Sequence, residues 1–227
     1  MQKMTRIFLV RHCEAQGNTS GVLQGRSDSD ISGNSARQLE LVAARLKDEP
    51  FAAVYSSPLI RAYKTAQAIA APHGLAITKD PRLIEIDMGE WEGRSWADIA
   101  KDGRDELRIW NEEPGRFAAP GGESTAQVAS RMWQAVAELA GKHRGQTVCA
   151  VSHGCAIRCL LCRALGKPLD SMQQIAWSDN TGVSVVEFDG EGNCSVPVMN
   201  DSSHMPPELS VYRKNLDDSG RIREIEP

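Results

Sequence analysis

Three short apolar runs constrain the fold of this chain more than any other feature. Arg6-Ile7-Phe8-Leu9-Val10, Ala52-Ala53-Val54-Tyr55 and Thr147-Val148-Cys149-Ala150-Val151 are each too short for a helix. They read as buried strands. Between and after them, apolar residues recur at helical spacing: Ala36, Leu39, Val42 and Leu46, then Leu59, Ala62, Ala66 and Ile69, then Val128, Met132, Val136 and Leu139. Buried strands that alternate with amphipathic helices build a mainly parallel sheet, because parallel neighbours need a crossover between them. The expected class is α/β, a three-layer α/β/α sandwich.

Local signals refine this outline. Ser57-Pro58 predicts a helix start with Pro at its first position. Ser124-Thr125-Ala126-Gln127 fits a capping box. Gly166-Lys167-Pro168 predicts the end of the helix that follows Ser152-His153-Gly154. Val183–Phe188 and Ser195–Val198 flank the turn Asp189-Gly190-Glu191-Gly192-Asn193. They predict a hairpin that adds an antiparallel edge strand, since Pro197 is poorly suited to a central one. Residues 21–34 read as a loop, and 81–122 as irregular. A single domain is expected over 1–227, with a loosely packed tail from about residue 200 and a solvated end from Tyr212.

The chain has 227 residues, with 26 Lys plus Arg against 30 Asp plus Glu, a net charge of −4. This mild acidic excess gives no electrostatic reason to bind nucleic acid or an anionic membrane. No apolar run approaches the length of a membrane span, and no signal peptide is read. The six Cys form no regular disulfide framework. Reduced thiols and a cytoplasmic location are expected.

In an open α/β sheet, ligands bind beyond the carboxyl ends of the strands. The first run ends in Arg11-His12. The second ends in Ser56-Ser57 and leads to a helix bearing Arg61. The third ends in Ser152-His153-Gly154. Two Arg and two His at one sheet edge point to an anion pocket, most naturally for phosphate, because guanidinium presents a planar fork of donors.

The blocks around these residues resemble the histidine phosphatase superfamily, which includes the phosphoglycerate mutases. They are Leu9-Val10-Arg11-His12-Cys13-Glu14-Ala15-Gln16-Gly17-Asn18, Ser56-Ser57-Pro58-Leu59-Ile60-Arg61-Ala62, and Leu83-Ile84-Glu85 through Gly89-Glu90-Trp91-Glu92-Gly93. Pro120-Gly121-Gly122-Glu123-Ser124 and Val151-Ser152-His153-Gly154 complete the series, in family order, over about residues 6–188. The resemblance is to the phosphatase branch, including alpha-ribazole and broad-specificity phosphatases.

That resemblance implies His12 as a nucleophile carrying a transient phosphoryl group. Arg11, Arg61 and His153 would hold the phosphate oxygens, with His153 protonated. Glu85 would be the proton donor. Asn18, Gln24, Gly25 and Gly154 would border the substrate, a small phosphorylated metabolite. No metal and no cofactor are expected. Rival readings are a cofactor-dependent phosphoglycerate mutase and a binding module without catalysis. A homodimer is a base-rate expectation.

Asp87, Glu90 and Glu92 compete with Glu85 as carboxylates. Cys155, Cys159 and Cys162 have the spacing of an iron–sulfur motif, but in a helix they fall on one face and read as a buried stripe. Trp133 and Trp177 read as packing residues, whereas Trp91 and Trp96 lie nearer the expected pocket. His73 and His143 read as helix-end residues, and His204 as a surface one.

Overall fold

A computed structural model describes residues 3–103 and 105–210. The expected tail from Tyr212 lies outside them. Six strands, β1 (Thr5–Arg11), β2 (Phe51–Ser56), β3 (Ile77–Lys79), β4 (Thr147–Ser152), β5 (Val183–Phe188) and β6 (Cys194–Asp201), form one sheet in the order β3-β2-β4-β1-β5-β6. β3, β2, β4 and β1 are parallel neighbours, while β5 runs antiparallel to both β1 and β6.

The alternation of side chains along β1 and β4 divides the core into two layers. Ile7, Leu9, Val148 and Ala150 pack with α6 (Thr125–Lys142) and α7 (Gly154–Ala164). Phe8, Val10, Cys149 and Val151 pack with α2 (Ser35–Leu46) and α3 (Ile60–Ala70). The sheet therefore has helices on both faces, as the sequence pattern requires. Further helical segments are α1 (Gln16–Thr19), α4 (Trp96–Lys101) and α5 (Asp105–Glu112). Among the described residues no helix is long and apolar enough to cross a membrane.

Several details differ from the sequence reading. Helix α3 begins at Ile60, not at Pro58, and its cap residue Leu59 offers no side-chain acceptor. Asp28 from the preceding loop supplies one instead, accepting from the Ile60 N–H at 2.7 Å. The buried face of α2 carries Ser35, Gln38, Val42 and Leu46, and Ala36 is exposed. Gln38 is tolerated inside because its amide oxygen accepts from Glu14 N and its nitrogen donates to the Leu209 carbonyl. The stretch 81–122 is not uniformly irregular, since α4 and α5 lie within it. Strand β3 went unpredicted because three residues carry too little periodicity to detect.

Other expectations stand. The Ser124–Gln127 capping box forms, with Ser124 Oγ accepting from Gln127 N. Helix α7 ends at Ala164, just before Gly166. The hairpin β5–β6 closes one side of the sheet, with Pro197 in the edge strand. Cys155, Cys159 and Cys162 are buried residues of α7 that face the core, and Cys159 Sγ lies 3.7 Å from Met172 Sδ.

Candidate functional site

Strand register creates the site. Arg11 at the end of β1 pairs with Ser152 at the end of β4, and Ser56 at the end of β2 pairs with Val151. The pairing continues one residue further: His12 N donates to Ser152 O at 3.0 Å and Ser57 N to Val151 O at 2.9 Å. His12, Ser57 and His153 are thus held side by side as the chain leaves the sheet. The His12 and His153 rings lie 5.0 Å apart between centroids.

A cavity of about 110 Å³ opens at this edge. Its lining includes Arg11, His12, Asn18, Gln24, Arg61, Glu85 and Gly154. His153 lies behind this wall, fully buried. Gly25 does not line the cavity; its carbonyl accepts from Arg61 Nη2 at 2.8 Å. A larger cavity of about 470 Å³ lies by Thr5, Gly145 and Phe188, at the opposite ends of the parallel strands. It contains none of these residues.

Each charged group has a defined support. His12 Nδ1 lies 2.6 Å from the Cys13 carbonyl. A carbonyl only accepts, so Nδ1 carries the proton and Nε2 retains its lone pair. Burial, then the neighbouring Arg61 and Arg11 charges, push the His12 pKa well below its ordinary value. The Cys13 carbonyl opposes them less strongly. Arg61 is 1% exposed and gives its two terminal nitrogens to Ser27 O and Gly25 O, at 2.7 and 2.8 Å. Its Nε is buried with no protein partner. Arg11 donates to the Ser178 carbonyl.

His153 Nε2 lies 2.7 Å from Ser57 Oγ, while its Nδ1 is buried without a protein partner. Burial first, then Arg61 and His12, hold its pKa well below the ordinary histidine value. Burial of the ring works against the charged His153 expected from the sequence. That expectation counted the pocket's function but not the desolvation of a ring inside it.

Glu85 is fixed at the amino end of α7. One oxygen accepts from Ile86 N and Ala156 N, both at 2.9 Å, and the other from Cys155 N at 3.1 Å. The rival carboxylates stand elsewhere. Glu92 clamps the 25–27 loop through the N–H groups of Gly25, Arg26 and Ser27. Asp87 accepts from Gly89 N at 3.0 Å and pairs with Arg26 at 3.2 Å. Neither they nor Glu90 line the cavity.

Sequence reasoning missed three contributors. Glu92 holds the loop whose carbonyls orient Arg61. Trp110 and Trp177 line the cavity, although Trp177 reads as a packing residue in the sequence. Trp91 is instead fully buried in the core. Only Trp177's place just before the buried Ser178–Thr181 segment, which bonds back to the β1 end, could have singled it out. His73 and His143 are engaged with Leu46 O and Tyr55, away from the site. His204, half-buried and not the surface residue expected, bonds to Thr181, whose N–H donates to the Arg11 and His12 carbonyls, without lining the cavity.

Known proteins share this chain's sequence and shape. Phosphoserine phosphatase 1 of Hydrogenobacter thermophilus is 37% identical over 193 residues, which cover 84% of this chain and 90% of that protein. A probable phosphoglycerate mutase GpmB of Yersinia enterocolitica is 37% identical over 167 residues, covering 73% and 77%. The solved structure of YhfR from Bacillus stearothermophilus superposes with a TM-score of 0.84 at 30% identity, covering 88% of this chain and 98% of that one. Residues 7–202, which carry all of the sheet but Thr5 and Arg6 and every residue lining the pocket, match the histidine phosphatase superfamily (branch 1), and the chain belongs to that family.

Proposed function

We propose that this chain is a phosphatase that hydrolyses a small phosphomonoester, with His12 as the nucleophile. The supporting observation is the His12 tautomer: the Nδ1–H···O=C bond to Cys13 leaves Nε2 able to attack phosphorus, in a cavity flanked by two arginines. Arg11 and Arg61 neutralise the phosphoryl oxygens. A bound phosphate dianion also reverses the balance at His153: its charge offsets the two arginines and favours the imidazolium. The ring then takes up its proton with the substrate.

Two half-reactions follow. His12 Nε2 forms a bond to phosphorus as the ester P–O bond breaks, and Glu85 gives its proton to the leaving alkoxide. Glu85, now a carboxylate, takes a proton from water, whose oxygen attacks the phosphohistidine and releases phosphate and neutral His12. No metal or cofactor enters either step. Asn18, Gln24 and Gly154 shape the wall around the ester.

Phosphoryl transfer to a second substrate is the second reading, favoured by the 37% identity to the probable mutase. Phosphate release from a panel of phosphomonoesters in the presence of chelator, with and without a phosphoryl acceptor, separates the two. Release without acceptor supports hydrolysis. Turnover only with acceptor supports transfer, and no turnover with intact substrate binding supports a binding module.

A further inference from the structure

Beside its polar groups the cavity has a largely apolar lining. Leu23, Ile86, Met88, Trp96, Trp110 and Trp177 also line it, with Cys155. Trp96 and Trp177 are 41% and 39% exposed, unusual for such large apolar groups and positioned at the solvent side. Trp96 and Trp110 lie 6.0 Å apart between centroids with their planes 32° from parallel. Trp177 is fixed from behind, with the Arg158 guanidinium 4.1 Å from its ring. That guanidinium also donates to the Ile175 and Met172 carbonyls. Trp110 and Trp177 are shared with a neighbouring groove of about 400 Å³ lined by Pro114, Met172 and Ile175 among others.

Charge in the cavity points the same way. Among the described lining residues the cations are Arg11 and Arg61, both needed by the phosphoryl group. A second negative group on the substrate would find three indoles and no further cation in the cavity, and Arg158 of the adjoining groove is already engaged with Trp177 and the Ile175 and Met172 carbonyls.

Resting on the phosphatase reading, we propose that the substrate is the phosphate ester of an uncharged alcohol bearing a planar apolar group. That group lies against Trp96, Trp110 and Trp177 and extends toward the adjoining groove. The proposal separates this chain from enzymes whose substrate alcohol carries a carboxylate, such as phosphoserine.

The test compares kcat/KM for 2-phenylethyl phosphate, ethyl phosphate and phosphoserine. All three leave as primary alkoxides, so the ratios report recognition of the alcohol. The expected preference for the phenylethyl ester is about tenfold or more over each of the others, the scale on which an apolar pocket discriminates. Trp177→Ala should reduce the phenylethyl-to-ethyl ratio by about tenfold through KM, and Trp177→Phe should restore most of it. Phosphoserine turned over as well as or better than the phenylethyl ester overturns the proposal while leaving the phosphatase reading intact. A ratio unmoved in both Trp177→Ala and Trp96→Ala also overturns it. Turnover of none of the three overturns both readings.

Discussion

Glu92→Ala tests whether that carboxylate positions Arg61 or performs chemistry. Glu92 Oε1 accepts from Arg26 N at 2.7 Å and Met88 N at 3.1 Å. Oε2 accepts from Gly25 N, Ser27 N and Ser27 Oγ at 3.2, 3.0 and 2.6 Å. The carbonyls of that same loop, Gly25 O and Ser27 O, receive both terminal nitrogens of Arg61. Bonds to a charged acceptor contribute roughly 1.5–3 kcal/mol each, but water replaces those at the exposed Arg26 and Ser27, leaving a net loss of about 2–3 kcal/mol. Burial pushes the Glu92 carboxyl up, but the bonds from Ser27 Oγ and the loop N–H groups outweigh it, so its pKa lies below the ordinary value. A depressed folded pKa contributes stability that is present above the unfolded value and lost as pH falls through the folded one. The variant should therefore lose less stability than the parent between pH 6 and pH 3. With Arg61 no longer held in register, kcat/KM should fall by about 10–100-fold. Urea unfolding at several pH values and steady-state turnover check both effects. Turnover abolished with unfolding unchanged would refute the positioning role.

Three further outcomes are expected. Gly25→Ala puts a Cβ 2.2 Å from Glu92 Oε1 and 2.3 Å from the Ile86 carbonyl, so thermal unfolding should show a loss of about 2–3 kcal/mol; an unchanged midpoint contradicts the packing described. Ser57→Ala removes the 2.7 Å partner of His153 Nε2 and should lower kcat/KM about tenfold, equivalent to one buried hydrogen bond of about 1–1.5 kcal/mol. A KM and kcat equal to the parent's would show that Ser57 does not orient the ring. His12 and His153 are both held below the ordinary histidine pKa, chiefly by burial. Their contribution is full above the unfolded value of about 6.5 and is lost as pH falls below it, so urea midpoints should decline in that direction and His12→Gln should flatten the decline.

The parts of this architecture that were legible in the sequence are those with a long-range period or a strong local rule. β1, β2 and β4 show as apolar runs, α6 shows through its capping box, and the hairpin shows through its Asp-Gly-Glu-Gly-Asn turn. The site was readable because parallel strands end together: knowing that Arg11-His12, Ser56-Ser57 and Ser152-His153 follow buried strands places them side by side. The functions of single side chains were less accessible. Nothing in Gly-Glu-Trp-Glu-Gly distinguishes Glu92 as a loop clamp, because its five partners come from a segment 65 or more residues away and from Met88. The start of α3 shifted for the same reason: Asp28, remote in sequence, caps it. Trp177 resembled a core residue because its exposure depends on how the 175–182 segment folds back onto β1. The desolvation acting on His153 required its burial to be known.

The central claim is a phosphoryl group carried on His12. Rapid acid-free quenching of enzyme mixed with a radiolabelled phosphomonoester, followed by peptide mapping, tests it most directly. The account predicts a label that is stable to alkali, lost in acid, located on the peptide containing His12 and absent in His12→Ala, which should also lose turnover. A label on another residue, or undiminished turnover by His12→Ala, would contradict it.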